Sequence, residues 1–250
     1  MQKIESAIIL AAGMGTRLRD VIDDRPKGLL KVGSRELIKE SLDRLIRGGI
    51  RDIIIVTGYR SELYKTALSS EYPQVRFLRN DEFEISGSMH SLFQAKNSVK
   101  SGFLLLESDL LYEDRCITEL VQSDKETEIL ISGETGSGDE VYVYGNADSK
   151  RVERINKNPV DYLSCQGELV GISKLSAAFF KILCHYYEEN ISSLKNSHYE
   201  ECISDLSASH EVNFLKIPDI IWTEIDDSSH YRRAKELIYP RIYGKDLKSL

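Results

Sequence analysis

The sequence predicts an α/β protein with a doubly wound, mixed but mostly parallel sheet and a small antiparallel insert in its second half. Three observations predict this fold. Apolar runs of strand length alternate with amphipathic helical stretches along the first half of the chain. Several runs end in glycines or acidic residues, which is typical of the ligand-binding edge of such a sheet. Residues 141–155 instead alternate polar and apolar side chains around a short turn, as in a hairpin.

The composition is that of an ordinary globular chain. With 250 residues, 41% hydrophobic and 29% charged, we expect one large domain over residues 1–250 with an insert at about 134–172, although length alone would also allow two small domains. The net charge of −7 argues against a nucleic-acid or membrane partner. Four cysteines without paired spacing predict free thiols, and no signal peptide or spanning run is evident, so we expect a cytoplasmic protein.

The first predicted strand and the loop after it carry the strongest functional signal. Residues 7–10 are all apolar, which predicts a strand buried on both faces. The following residues, 11–17, read Ala-Ala-Gly-Met-Gly-Thr-Arg. Gly13 and Gly15 carry no Cβ and permit positive φ, so backbone N–H groups can converge there on an anion. With Lys27 adding charge, the segment predicts a phosphate-binding loop, whereas an ordinary strand, turn and helix would use the glycines only to turn the chain.

The segments after this loop alternate helix and strand in the order expected of βαβ units. Residues 37–47 are predicted to form a helix that Gly48 and Gly49 end. We expect this helix to bury Leu37, Ile38, Leu42, Leu45 and Ile46 and to expose Glu40, Asp43 and Arg44. Further strands are predicted at 52–58, 75–78, 103–109, 128–134, 141–144, 151–155, 166–172, 213–217 and 221–225, and further helices at 59–70, 113–123, 174–189, 198–208 and 229–238.

Small polar residues over 86–91 open one more predicted helix. Such small side chains would leave the backbone N–H groups at the helix start exposed, so a flat nucleotide base could lie against the chain there. The residues concerned are Ser86, Gly87, Ser88 and Ser91. A simple N-cap series would use the same residues.

Two predicted strands end in acidic residues. Glu107 and Asp109 are two residues apart, so both side chains point to the same side of an extended chain. An acid buried at this edge is costly unless it is paired or bound to a metal, and its hard oxygens suit Mg²⁺. The alternative is an acid that caps the next turn. Asp226 and Asp227 follow a later strand and could likewise cap the last helix.

These motifs resemble those of the nucleotidyltransferases. Residues 10–17, Leu-Ala-Ala-Gly-x-Gly-Thr-Arg, with the following Pro-Lys27, are similar to the signature loop, and Glu107-x-Asp109 to the acid-x-aspartate element. The resemblance implies a Rossmann-like nucleotidyltransferase fold and an enzyme that joins a nucleoside triphosphate to a phosphorylated small molecule, releasing pyrophosphate. It implies Mg²⁺ as cofactor, with Asp109 as one ligand and Asp226, in an Ile-Asp before the last helix, as the second.

The resemblance also assigns the other site residues. Arg17 and Lys27 would bind the triphosphate and the developing pyrophosphate, and Lys157 the α-phosphate or the acceptor phosphate. The nucleotide-binding residues would be Leu10, Ala11, Ala12, Gly13, Gly15, Thr16, Gly58, Ser86, Gly87, Ser88, Ser91 and Glu107. A phosphate or phosphonate dianion needs no general base near pH 7, so we expect catalysis to depend on position and charge.

The compact length, the Ser-Gly-Ser segment and the late Ile-Asp resemble the cytidylyltransferases that activate phosphocholine and 2-aminoethylphosphonate. A quaternary ammonium needs an aromatic box, whereas a primary ammonium needs hydrogen-bond acceptors. Where the phosphocholine enzymes have tryptophan and tyrosine, residues 138–141 and 198–201 carry carboxylates. The candidate acceptor-binding acids are Asp139, Glu140, Glu168, Glu200 and Glu201. The expected partners are therefore CTP and an amino-phosphonate or amino-phosphate, with 2-aminoethylphosphonate preferred.

Several alternatives stay open at the level of sequence. The chain could be a phosphocholine or phosphoethanolamine cytidylyltransferase, a sugar-1-phosphate nucleotidyltransferase, or a nucleotide-binding module without chemistry. The acceptor-side acids could also be solvated surface residues. These residues do not decide whether the base is cytosine or uracil, whether one or two metal ions bind, or what the oligomeric state is.

Overall fold

A computed structural model describes residues 3–18 and 24–246 of the chain. Strands and helices alternate along most of it. The strands are β1 (Ser6–Ala11), β2 (Asp52–Thr57), β3 (Val75–Arg79), β4 (Phe103–Glu107), β5 (Leu110–Tyr112), β6 (Glu128–Ser132), β7 (Tyr142–Asn146), β8 (Arg151–Asn156), β9 (Cys165–Leu175), β10 (Asn213–Lys216) and β11 (Trp222–Glu224). The helices are α1 (Leu37–Arg47), α2 (Ser61–Leu68), α3 (Ser88–Phe93), α4 (Arg115–Gln122), α5 (Ala177–Glu189), α6 (Ile191–Leu194), α7 (Tyr199–Ser207), α8 (Ser228–Arg233) and α9 (Tyr239–Asp246).

Nine strands of the described residues form one mixed sheet in the order β3-β2-β1-β4-β9-β6-β10-β8-β7. Strand β1 pairs in parallel with β2 and β4, and β6 pairs in parallel with β10, while the long β9 is antiparallel between β4 and β6. The β7–β8 hairpin forms as expected and also pairs with β9. The predicted α/β fold with a mixed sheet and an antiparallel insert is confirmed. The sheet is less parallel than expected, because among the described residues four of its pairings are parallel and five, all of them involving β7, β8 or β9, are antiparallel.

Alternate residues of the buried strands enter two different apolar cores. Ala7 and Ile9 pack with α1, α2 and α4, whereas Ile8 and Leu10 pack with α3, α5 and α7. This alternation follows from the two-residue period of a strand, and it places helices on both faces of the sheet. The carboxyl ends of β1, β2 and β4 therefore meet at one open edge.

Helix α1 differs from the expected pattern at two positions. The helix has the predicted bounds, and Gly49 follows it with φ +88°. Ile46 was expected in the core but is 40% exposed, and Arg44 was expected outside but is 6% exposed. Arg44 is buried because its guanidinium donates to Glu40 and lies 5.8 Å from the centroid of the Tyr112 ring.

The end of the chain and residues 110–112 also differ from expectation. The last predicted helix continues from α8 through a π-helical turn, Ala234–Ile238, into α9. Strand β5 was not predicted, and it pairs antiparallel with β11 in a separate two-stranded sheet. This pairing brings the acidic end of β11 beside the acidic end of β4. No helix in the described ranges combines the length and apolar character that crossing a membrane requires.

Candidate active site

A cleft of about 610 Å³ opens at the carboxyl ends of β1 and β4. The loop after β1, the start of α3, the β7–β9 insert and α7 all line it. The predicted site residues that line this cleft are Leu10, Ala12, Gly13, Gly15, Thr16, Arg17, Lys27, Ser86, Gly87, Ser88, Ser91, Glu107, Asp109, Asp139, Lys157, Glu200, Glu201 and Asp226. Four other predicted residues, Ala11, Gly58, Glu140 and Glu168, are not among its lining residues.

The loop after β1 is short and closely braced. Gly15 has φ +59°, as a phosphate-binding turn was expected to need, whereas Gly13 has no positive φ and a Cβ there would meet nothing within 4 Å. Ala11 misses the cleft because its side chain is buried in the core. A Cβ on Gly58 would lie 2.8 Å from the Ala12 carbonyl oxygen, so Gly58 supports the loop by letting the β2 end approach it.

Lys27 lies between two carboxylates, and we call Lys27, Asp109 and Asp226 the Lys27 cluster. The Lys27 ammonium donates to Asp109 Oδ2 at 3.1 Å and also to Asp226 Oδ1. Burial lowers the pKa of Lys27, but the charges of Asp109 and Asp226 outweigh it, so the pKa is raised overall. A Cβ on Gly28, the residue after Lys27, would lie 2.7 Å from the Tyr64 hydroxyl oxygen, so the Tyr64 side chain packs closely against the Lys27 turn.

A second group of acids adjoins this cluster. Carboxylate oxygens of Glu107, Asp109 and Glu224 lie within 4.8 Å of one another. Glu224 reaches this position because it pairs opposite Leu110, and the next residue, Ile225, donates its backbone N–H to the Asp109 carbonyl oxygen at 3.1 Å. Sequence analysis missed Glu224, although Glu224-Ile-Asp226 repeats the two-residue spacing of Glu107-Ser-Asp109.

The charges of these acids indicate a site for a cation. Burial, followed by the neighbouring Asp109 charge, raises the pKa of Glu107 well above its usual range. Burial and the charges of Asp109 and Glu107 raise the pKa of Glu224 in the same way. Hard oxygen ligands in a partly buried position with excess negative charge fit Mg²⁺. The residues present therefore suit the metal that the sequence predicted.

Glu107 has two further constraints that the sequence did not reveal. The Tyr199 hydroxyl donates to Glu107 Oε1 at 2.8 Å. Gly171 has φ +80°, and a Cβ there would lie 3.3 Å from the Glu107 carboxyl group. Gly171 lies within an irregularity of the β6–β9 pairing, so only glycine fits both the backbone and the neighbouring acid.

The small residues at the start of α3 have a packing role of their own. The buried Asn80 side chain donates to Ser86 Oγ at 3.0 Å and to Ser91 Oγ at 3.1 Å. A Cβ on Gly87 would lie 2.2 Å from the Ser197 carbonyl oxygen, so Gly87 allows close contact with the segment before α7. Ser88 Oγ accepts from the Tyr199 backbone N–H at 3.1 Å. The last of these bonds joins the predicted base-binding segment to the start of α7.

Asp139 bridges two cations, and we call Arg17, Asp139 and Lys157 the Asp139 cluster. Arg17 NH1 lies 3.1 Å from Asp139 Oδ2, and Lys157 Nζ pairs with Asp139 Oδ1. Burial raises the pKa of Asp139, but Lys157 and Arg17 lower it more, to about 2. Arg17 NH2 also lies 3.1 Å from Asp226 Oδ2, so Arg17 connects the Asp139 cluster to the Lys27 cluster.

The other predicted acceptor-side acids divide into two groups. Glu200 lines the cleft, burial raises its pKa, and its Oε2 has no hydrogen-bond partner among the described residues. Glu201 also lines the cleft but accepts the His198 backbone N–H at 2.8 Å, which caps α7. Glu140 misses the cleft because it turns back to accept from the Gly138 N–H, and Glu168 because it is buried against Thr135, whose backbone N–H lies 2.7 Å away.

The cleft also contains residues that were not predicted. They include Tyr64, Phe83, Ser108, Asn156, Gly171, His198, Trp222 and Glu224. Apart from the acidic spacing at Glu224, these residues carry no local motif, because their place in the cleft depends on pairing between distant segments.

The chain belongs to the nucleotidyl transferase family, whose model matches residues 6–167. It is 34% identical over 117 residues to a choline-phosphate cytidylyltransferase of Streptococcus pneumoniae, covering 47% of this chain and 50% of that protein. It is 29% identical over 186 residues to a 2-aminoethylphosphonate cytidylyltransferase of Lancefieldella rimae, covering 74% and 72%. The chain spans about half the length of several curated relatives that it matches.

A solved structure agrees with the fold. The inositol-1-phosphate CTP transferase from T. maritima has a TM-score of 0.78 and 20% identity to this chain, covering 95% of this chain and 98% of the other. At that identity, the likeness concerns the fold alone. The family resemblance inferred from the motifs is confirmed.

Proposed function

We propose that this chain is a magnesium-dependent cytidylyltransferase that transfers CMP from CTP to 2-aminoethylphosphonate and releases pyrophosphate. Family membership supports nucleotidyl transfer, and similarity to cytidylyltransferases of amine-bearing acceptors supports CTP. One observation carries the choice of acceptor. The part of the cleft formed by the insert, at about 134–172, and by α7 presents the carboxylates of Asp139, Glu200 and Glu201, of which Glu200 has an oxygen without a partner among the described residues.

The proposed reaction is a displacement at the α-phosphorus of CTP. A phosphonate oxygen forms the new bond to that phosphorus while the bond to the β-phosphate oxygen breaks and pyrophosphate leaves. No proton has to move, because the phosphonate is already an anion near pH 7. The chain therefore has to position two anions against each other and to offset their repulsion.

Residues of the two clusters suit these tasks. Lys27 and Arg17 are assigned to the triphosphate and the departing pyrophosphate, and Lys157 to the α-phosphate or the phosphonate. Asp109 and Asp226, with Glu224 beside them, would hold Mg²⁺, which supplies positive charge to the phosphate oxygens when it is bound.

The acids of the acceptor side favour a primary over a quaternary ammonium. A primary ammonium donates charge-assisted hydrogen bonds to carboxylates, whereas a trimethylammonium has no N–H and is bound by several aromatic rings. Among the described lining residues the tyrosine, phenylalanine and tryptophan side chains are Tyr64, Phe83 and Trp222. The Tyr64 hydroxyl lies against Gly28, next to Lys27, and Phe83 packs against Gly58. Of these three rings only Trp222 is therefore left for the acceptor, and a single ring cannot form an aromatic box.

A pyrophosphate-release panel tests this function. It crosses CTP, UTP and ATP with 2-aminoethylphosphonate, phosphoethanolamine, phosphocholine and glucose 1-phosphate, in the presence of Mg²⁺. We expect the highest kcat/KM with CTP and 2-aminoethylphosphonate. Greater activity with phosphocholine would contradict the role of the acids, release with glucose 1-phosphate alone would indicate a sugar nucleotidyltransferase, and CTP binding without release would indicate a module without chemistry.

A further inference from the structure

Asp139 pairs with cations from opposite sides of the cleft. Its Oδ2 lies 3.1 Å from Arg17 NH1, on the loop after β1, and its Oδ1 pairs with Lys157 Nζ, just after β8. These are two of the cations that the proposed function assigns to phosphate groups. One carboxylate oxygen contacts each cation, as two oxygens of a bound phosphate would.

We propose that Asp139 is an internal anion that exchanges partners: it holds Arg17 and Lys157 in the substrate-free protein, and the triphosphate releases it to bind the ammonium group of the acceptor. This inference rests on the proposed function. It makes Asp139 a specificity-determining residue that becomes available to the acceptor when CTP is bound.

The exposure of the Asp139 cluster makes such an exchange feasible. The Arg17 and Lys157 side chains are 58% and 61% exposed, whereas that of Lys27 is 16% exposed. Ion pairs with exposed partners contribute little to stability, because water and salt screen them. A triphosphate offers several charged oxygens, and arginine can bind phosphate through two parallel N–H groups. The cations therefore gain stronger partners when the nucleotide replaces Asp139.

The loop that carries Asp139 is anchored on one side of a glycine. His230 Nε2 donates to the Ser137 carbonyl oxygen at 3.3 Å, and Arg233 donates to the Thr135 carbonyl oxygen at 3.3 Å. Gly138 follows this anchored part with φ +88°, and a Cβ there would meet nothing within 4 Å. Beyond Asp139, the Val141 carbonyl oxygen accepts from the Leu169 N–H at 2.8 Å. A change in backbone angles at Gly138 can therefore move Asp139 only within the short span between these two anchored parts.

Lys157 indicates where the released carboxylate would meet the ammonium. Lys157 pairs with Asp139, and its charge also acts on the carboxyl group of Glu200. Asp139, Lys157 and Glu200 all line the same cleft. When Lys157 turns to a phosphate, the acceptor ammonium can take its place between Asp139 and Glu200, which restores the charge balance. Because coupling between two sites is reciprocal, CTP should raise the affinity for the acceptor and the acceptor that for CTP.

The variant Asp139→Asn tests this exchange through two opposite effects. Calorimetric titration with CTP and Mg²⁺, without acceptor, should give a Kd about twofold to fivefold lower than that of the wild type, because no carboxylate competes for Arg17 and Lys157. Steady-state kinetics should give a KM for 2-aminoethylphosphonate about tenfold or more higher, because a charged acceptor of hydrogen bonds is lost. With ethylphosphonate, which lacks the amine, the KM should match that of the wild type.

Glu134→Gln is the matched control, because Glu134 is an exposed acid of the same loop that does not line the cleft. This variant should change neither the Kd for CTP nor the KM for 2-aminoethylphosphonate. Asp139→Ser should repeat the effects of Asp139→Asn, and a melting curve of each variant confirms folding.

The outcomes separate this proposal from the proposed function. A wild-type protein that transfers CMP to none of the aminophosphonates or aminophosphates overturns the proposed function. An unchanged or higher Kd for CTP in both Asp139 variants, or the same shift in Glu134→Gln, overturns the exchange, whichever acceptor the wild type uses. A lower Kd for CTP with an unchanged KM for 2-aminoethylphosphonate overturns the proposed binding of the acceptor ammonium by Asp139.

Discussion

The Lys27 and Asp139 clusters join similar charges in the same cleft but differ in the exposure of their cations, while the Asp139 side chain itself is only 19% exposed. The side chains of Lys27, Asp109 and Asp226 are 16%, 15% and 6% exposed. The cations of the Asp139 cluster are more than half exposed. A partly buried charge that loses its partner has little water to replace it, whereas an exposed one is resolvated. We propose that the side chains of the Lys27 cluster keep their positions and form a fixed centre, whereas those of the Asp139 cluster exchange partners.

The two clusters also differ in the secondary structure that holds their side chains. Asp109 directly follows β4, Asp226 closely follows β11, and Tyr64 packs against the turn of Lys27. Asp139 lies on a loop with positive φ at Gly136 and Gly138. Rigid strand ends hold reacting groups in place, and a loop lets a side chain change partners. Four sets of substitutions test this contrast.

Lys27→Ala should have the largest effect. We expect kcat/KM for pyrophosphate release to fall about a thousandfold or more, because the charge opposite the departing pyrophosphate is lost and Asp109 and Asp226 lose their shared partner. Lys31→Ala, at an exposed lysine outside the cleft, is the control and should retain wild-type rates. A Lys27→Ala protein with more than about a tenth of the wild-type rate would contradict a fixed centre.

Asp109→Asn should weaken the response to magnesium. We expect turnover to fall about a hundredfold to a thousandfold, because a neutral amide is a poor ligand for Mg²⁺. Mg²⁺ should raise the Tm of the wild type and have less effect on the variant. Asp148→Asn, at an exposed turn, should respond to Mg²⁺ as the wild type does. Equal responses in both variants would exclude Asp109 as a metal ligand.

Gly171→Ala and Gly136→Ala separate backbone strain from damage to the site. Both positions have positive φ, so each change should lower the free energy of unfolding by about 1–2 kcal/mol in urea denaturation. Gly171→Ala should in addition lower kcat about tenfold, because the new Cβ would lie 3.3 Å from the Glu107 carboxyl group. Equal kcat values in the two variants would show that the position of Glu107 is not critical.

Tyr199→Phe should have the smallest effect. It removes the donor to the buried Glu107 Oε1, so the free energy of unfolding should fall by about 1 kcal/mol in urea denaturation. The control, Tyr186→Phe, removes a more exposed hydrogen bond to Asp205 and should cost less. A larger loss for Tyr186→Phe would contradict the view that burial fixes the bonds around the Lys27 cluster.

Several differences between the expected and the observed side-chain positions share one cause. Glu140 and Glu168 were chosen as acids of the insert, but their partners, Gly138 and Thr135, turn both away from the cleft. Arg44 was expected outside α1, but Tyr112 of β5 covers it. In each case a nearby polar or aromatic group decides the direction of the side chain. The spacing of residues in the sequence does not reveal which group this is.

Patterns in the sequence were enough to predict the loop of small residues after β1, Lys27, the acids at the ends of two strands and the antiparallel insert. These features are local, because a run of apolar residues and the residues that follow it occupy one short stretch of chain. Only the tertiary structure placed Glu224 beside Asp109, through the β5–β11 pairing, and Asp139 between Arg17 and Lys157. Arg17 and Asp139 are separated by 122 positions along the chain, so their contact exists only after the insert has folded onto the loop of β1.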